Sequence, residues 1–122
     1  MLIKQIPIRN NLRNYMYLLA CEQTLEAIAI DPLDHNLCLK VAADLGWTIK
    51  MVANTHHHHD HIGGNGPVID ATGAELVAHT EAMSAIPNVD RGVQAGDSLR
   101  CGKLRLKIMD TPGHTMSHIC LY

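Results

Sequence analysis

Phenylalanine is absent from these 122 residues, and tyrosine and tryptophan bring the aromatic share to only 3%. A core built from this chain must therefore rest on Leu, Ile, Val, Ala and Met. No apolar run approaches the roughly 20 residues that a membrane-spanning helix needs. Neither charge sign prevails. The formal net charge is −2 with 18% charged residues, so the composition gives no basis for binding nucleic acid or an acidic membrane surface. The opening stretch Met1–Arg9 has no long apolar segment and no small-residue cleavage site, so no signal peptide is expected. The four cysteines, Cys21, Cys38, Cys101 and Cys120, are scattered without a Cys-x-x-Cys pair. Buried free thiols in a reducing cytoplasm are the expectation. Repeats and low-complexity linkers are missing as well. With 47% hydrophobic residues, the chain reads as one globular domain over residues 1–122.

What is present begins with a histidine run. Residues 55–61 read Thr-His-His-His-His-Asp-His, which resolves into His56-x-His58-x-Asp60-His61. In extended backbone the side chains of His56 and His58 point the same way. Two imidazoles on one side of a strand end can share one ion at about 2.0–2.1 Å each. Asp60 and His61 follow after the chain has begun to turn. They can reach a neighbouring position, where a second ion would lie about 3.5–4 Å from the first. His57 and His59 fall on the opposite face and are not assigned as ligands. The run is internal and broken by Asp60, unlike an affinity tag.

The flanks suit this role. Trp47–Asn54 is rich in β-branched and apolar residues and reads as a strand feeding the motif. Gly63-Gly64-Asn65-Gly66 permits tight turning, and Pro67 suits the first turn of a short helix over Pro67–Thr72. Further on, Lys103–Met109 alternates strictly, with Leu104, Leu106 and Ile108 on one face of a half-buried strand. That strand leads to Pro112-Gly113, a turn that presents His114. Three histidines and one open position make the pattern of a catalytic zinc. Asp110 is read as a turn residue or as support for a ligand. Asp97 is read as shaping a turn through its side chain.

The remaining elements follow from pattern. Strands are expected at Leu2–Ile8, Tyr15–Ala20 and Glu26–Ile30. Asp34 caps a helix that runs to about Leu45 with Leu37, Val41 and Leu45 on its buried face, and Gly46 ends it. Glu75–Ala78 is a strand, and Thr80 caps a brief helix through Ala85. Pro87–Asp97 is loop. Ser98–Cys101 and Lys103–Met109 form a hairpin around Gly102, and Ile119–Tyr122 begins a last strand.

Thr55–Asn65 together with Thr111–Tyr122 resembles the metallo-β-lactamase superfamily, and within it the hydroxyacylglutathione hydrolase (glyoxalase II) branch. Asn14–Leu18 and Ile30-Asp31-Pro32 are similar to that branch's opening strands. The resemblance implies an α/β (α+β) fold: one half of an αβ/βα sandwich, a mixed sheet with flanking helices. It implies that His56, His58 and His114 hold one metal, and that Asp60 and His61 belong to a second. The bridging aspartate and last histidine of the family come later than any residue here. The chain is therefore expected to be a single truncated domain, the N-terminal half of the family's catalytic domain. His118 resembles a family position near the ligands that is not itself a ligand.

The implied cofactor is Zn2+, as one or two ions, with Fe or Mn as other candidates. The implied activity is hydrolysis of a small-molecule thioester by metal-bound hydroxide. Asp60 would act catalytically, by orienting the nucleophile or holding the second ion. Two alternatives stand beside it: a metal-binding remnant without turnover, and a sulfur dioxygenase-like protein with a single iron. Half a sandwich would leave the inner sheet face open to water. Large exposed apolar patches are uncommon on monomers, so a homodimer or other self-association is expected.

Overall fold

The computed structural model describes all 122 residues. Six strands form the larger sheet in chain order: β1 (Leu2–Pro7), β2 (Tyr15–Ala20), β3 (Glu26–Ile30), β4 (Thr48–Ala53), β5 (Glu75–His79) and β6 (Arg91–Val93). The first three pair antiparallel, and from β3 to β6 every pair is parallel. Parallel neighbours need crossovers. These are α1 (His35–Leu45), between β3 and β4, α3 (Asn65–Thr72), between β4 and β5, and residues 80–90 with their 3-10 turn, between β5 and β6. The central strands are buried on both faces, as their near-continuous apolar runs Leu18–Ala20 and Ala27–Ala29 require.

Helix α1 has the limits its sequence signals. The Asp34 carboxylate accepts the Leu37 N–H at 3.0 Å, and Gly46 at φ 69° ends the helix in the left-handed region. Its buried face is set by Cys38 and Ala42, with Leu37 and Val41 packed at the flanks. Leu45, expected on that face, is 41% exposed. The small side chains of Cys38 and Ala42 let the helix lie close to the sheet, and the last turn runs past the contact.

The smaller sheet is antiparallel, β7 (Ser98–Cys101), β8 (Leu104–Asp110) and β9 (Ile119–Leu121). Its inward residues Leu99, Cys101, Leu106, Ile108 and Ile119 pack on Leu19, Ile28, Met51, Ala53 and Val77 of the larger sheet. The other face of the larger sheet packs Met16, Leu18, Val52 and Leu76 against Cys38, Ala42 and Val68 of the helices. The expectation of an open inner face is therefore corrected. The alternation of β8 builds a cover over these residues from within the chain.

Four local departures have identifiable causes. Arg91–Val93, expected as loop, is strand β6, held by pairing with β5. At three residues with a central glycine it is too short to carry a period. A Cβ on Gly92 would stand 2.7 Å from the Met83 sulfur and 3.1 Å from the Thr80 Cα, so a larger residue there would have to displace the segment after β5. The motif itself contains a one-turn helix, α2 (His59–Ile62). Helix α3 begins at Asn65, two residues before Pro67. The brief helix after β5 is a 3-10 turn over Thr80–Ala82, and its cap is the His79 ring, which accepts the Glu81 N–H at 3.1 Å. Thr80 lies inside it.

Candidate metal site

The site assembles at the C-terminal ends of the parallel strands, where sheets of this kind place ligands. Strand β4 carries a bulge on the way there. Its register with β3 passes from Ala27↔Ile49 to Ile28↔Met51, leaving Lys50 unpaired. The bulge reverses the face alternation, so that Ile49 and Val52 share one core while Met51 and Ala53 share the other. Beyond β4 the chain delivers His56 inward, at 3% exposure. His58 follows as the N-cap of α2.

His56, His58 and His114 bring one nitrogen each to within 4.8 Å of one another. Their rings are mutually near-perpendicular. Centroids are 4.7 Å apart for His56–His58, 4.9 Å for His56–His114 and 4.7 Å for His58–His114. His114 arrives from the β8–β9 connection, which is tied to the motif where the Ile119 N–H donates to the Thr55 carbonyl at 2.9 Å.

The tautomer of His56 follows from its neighbours. Asp31 is buried, and its carboxylate accepts the Thr55 N–H at 2.8 Å and the Thr55 hydroxyl at 2.6 Å. A hydroxyl has one hydrogen to give. Thr55 Oγ1, 2.9 Å from His56 Nδ1, must therefore accept from that nitrogen. His56 is then protonated on Nδ1 and presents the lone pair of Nε2. That Nε2 is buried without a hydrogen-bond partner, a costly state that a metal ion relieves. Burial, followed by the His61 ring, lowers the His56 pKa from 6.5 to about 4. The imidazole is neutral at physiological pH, as metal ligation requires.

Asp60 and His61 lie beside this cluster. Asp60 receives the Asn14 amide on Oδ2 at 2.8 Å, and its backbone carbonyl receives the same amide at 2.7 Å. The Asn14 bond is the main reason its pKa is lowered. His61 Nδ1 bonds to Asp31 Oδ2 at 3.0 Å, which raises the His61 pKa, and His61 Nε2 is 3.6 Å from Asp60 Oδ2. Asp31, His56 and His61 also place nitrogens and a carboxylate oxygen within 4.8 Å. Both Asp31 oxygens are already engaged, so Asp31 orients its neighbours. Asp60 belongs to neither three-residue set.

The other residues weighed from sequence have separate partners. His118 Nδ1 bonds to Thr111 Oγ1 at 2.7 Å, with its ring 5.3 Å from that of His56. Asp110, at the end of β8, accepts the Ala95 N–H at 2.7 Å, and Asp97 accepts the Gln94 N–H at 3.0 Å within a turn. Asn14, Asp31 and Thr55 are the orienting residues that sequence reasoning did not single out. Their signals were slight: an Asn ahead of β2, an Asp-Pro at the end of β3, and a Thr opening the run. None of the molecule's clefts is lined by His56, His58 or His114, and His114 is exposed. The cluster thus runs from the buried His56 to the exposed His114.

The profile of the Metallo-beta-lactamase superfamily matches residues 18–122. The chain is 56% identical over 122 residues to a hydroxyacylglutathione hydrolase of Polaromonas sp., covering 99% of the chain and 46% of that protein. It is 50% identical to a hydroxyacylglutathione hydrolase of Nitrosococcus oceani, covering 100% of the chain and 47% of that protein. It thus spans about half the length of the curated relatives it matches. Among solved structures it superposes on ETHE1 from Myxococcus xanthus with a TM-score of 0.88 at 34% identity, over 100% of the chain and 53% of ETHE1.

Proposed function

This chain belongs to the metallo-β-lactamase superfamily, and we propose that its His56, His58 and His114 cluster is the metal-holding part of a thioester hydrolase acting on hydroxyacylglutathione-type substrates. One observation carries the reading. A buried imidazole nitrogen, fixed as an acceptor by the Thr55–Asp31 chain, faces two further imidazoles and has no partner. Three nitrogen donors suit zinc among the divalent metals. The relatives named hydroxyacylglutathione hydrolase support the substrate class.

A divalent ion bound there would supply Lewis acidity, activating water and polarising the thioester carbonyl. The chain's own residues do the rest. Thr55 and Asp31 hold the His56 lone pair towards the site. The Asn14 hydrogen bond favours the charged form of the Asp60 carboxylate, and Asp60 would orient an attacking water or, with His61, serve a second ion. A thiolate leaves readily, so no strong general acid is required. The four free thiols support a reducing compartment as the place of work.

A second reading is a single-iron, sulfur dioxygenase-like site. It is favoured by one fact: the one set composed wholly of histidines is His56, His58 and His114, with Asp60 outside it. A third is metal binding without turnover. Metal content per chain and hydrolysis of S-lactoylglutathione, measured on one purified sample, separate the three. Zinc-loaded protein that hydrolyses above the metal-free control, with loss of turnover in His58→Ala, supports the hydrolase. Iron binding without hydrolysis favours the second reading, and a tight zinc ion with no turnover favours the third.

A further inference from the structure

Outside the metal site, the fold brings two of the four cysteines together. Cys21 opens the turn between β2 and β3, and Cys101 opens the turn between β7 and β8. The two residues meet at one acceptor, Cys21 through its backbone N–H and Cys101 through its thiol. The Glu26 carbonyl accepts the Cys21 N–H at 2.9 Å and the Cys101 thiol at 3.1 Å. On the other side, the Lys103 N–H donates to the Cys21 sulfur at 3.4 Å, and a Cβ on Gly102 would stand 3.1 Å from that sulfur. The two residues are thus neighbours around one carbonyl and one glycine, 80 residues apart in sequence. Cys38 is buried under α1, and Cys120 lies beside Thr111.

Their surroundings set them apart chemically. The Thr24 side chain, then the Lys103 N–H, lower the Cys21 pKa from 9.0 to about 7, with the Gln23 and Thr24 N–H groups adding to the effect. Burial, then Glu26, pushes the Cys101 thiol up to about 11. Of the two, Cys21 is therefore the sulfur that deprotonates first, to the form that attacks, and Cys101 the one that stays protonated. Both are covered in the closed fold, at 2% and 3% exposure. Cys21 lies between the turn Glu22–Leu25, whose residues are all exposed, and Gly102–Lys103 of the neighbouring turn. Attack by Cys21 on a small molecule requires local opening beside the sulfur, and an opening that leaves the Thr24 and Lys103 contacts in place keeps its pKa low.

We propose that Cys21 and Cys101 form an intramolecular disulfide by exchange with a low-molecular-weight disulfide, Cys21 attacking first. The Cys21 thiolate bonds to one sulfur of the small disulfide, whose S–S bond breaks and releases one thiolate. Cys101 then gives its proton to solvent and attacks the Cys21 sulfur, and the mixed disulfide breaks to release the second thiolate. One small disulfide is reduced to two thiols while two cysteines are oxidised. The bond staples the β2–β3 turn of the larger sheet to the β7–β8 turn of the smaller one.

The test is incubation of the intact protein with oxidised glutathione, followed by whole-protein mass and peptide mapping without reduction. The expected product has lost two hydrogens, carries a Cys21–Cys101 cross-link, and reverts with dithiothreitol. Cys101→Ser should instead accumulate one glutathione adduct on Cys21. The wild-type measurement stands if that variant fails to fold. Failure to lose two hydrogens under conditions that oxidise a reference dithiol overturns the proposal. So does a link through Cys38 or Cys120, or an adduct that in Cys101→Ser lands on another cysteine.

Discussion

Three residues that touch one another decide what His56 offers to a metal. Asp31 holds Thr55, Thr55 holds His56 Nδ1, and Nε2 is left bare. Removing the middle link tests the chain. Thr55→Val keeps the shape and deletes the hydroxyl, and metal affinity should fall by about 10–100-fold, the usual loss when an outer partner of a ligating histidine is removed. Zinc titration against a competing chelator measures it, and Thr55→Ser should restore most of the loss. The charge state of His56 makes a separate prediction for the metal-free protein. Its imidazole takes up a proton near 6.5 when unfolded and near 4 when folded. Between those values the unfolded state binds the extra proton, so this group makes stability rise with pH across the window, and that stability is lost as pH falls from 6.5 towards 4. His61 acts in the opposite sense: its raised pKa stabilises below the unfolded value, and the benefit is lost as pH rises through the folded one. Urea midpoints measured across this range should show the His56 slope in wild type and not in His56→Gln.

At the scale of elements, the loop that carries the motif is clamped at both ends. Asn54 leaves β4 and Asn65 opens α3, and their side-chain amides bond reciprocally, at 3.1 and 2.6 Å, in a buried setting. Between them Gly64 lies so close to the β3–α1 turn that a Cβ would collide with the Pro32 carbonyl oxygen. The loop is therefore held against the turn that contains Asp31. Asn65→Ala strands the Asn54 amide without its partner in the core. A cost of about 1–3 kcal/mol is expected for an unsatisfied buried amide, read as a lower urea midpoint with an unchanged slope. Metal affinity should fall with it, because the clamp sets the spacing of His56 and His58 from α2.

At the scale of the whole molecule, three layers are stacked: helices, the six-stranded sheet, and the three-stranded sheet. The third layer carries His114 to the site and seals the inner sheet face. Leu106, 4% exposed at the centre of β8, tests it. Leu106→Ala should destabilise the fold by about 2–5 kcal/mol. It should also promote self-association, seen as a concentration-dependent rise in mass by light scattering, because loosening the cover exposes Leu19, Ile28 and Val77.

By itself the sequence determined the elements and the donors. The spacing His56-x-His58 and the turn before His114 named the three histidines that the fold gathers. The alternation in β8 and the Asp34 and Gly46 caps set element limits to within a residue or so, because these signals are local and act through backbone geometry. Tertiary structure alone decided the rest. Pairing created β6 from a stretch with no period, and the Lys50 bulge set which face of the sheet leads into His56. Packing turned β7–β9 over the inner face, where the sequence pattern suggested open surface. Asp31, Asn14 and Thr55 became orienting groups only through contacts spanning up to 46 residues of chain. A donor's identity is written in its side chain, whereas the tautomer and charge it presents are set by neighbours that only folding supplies.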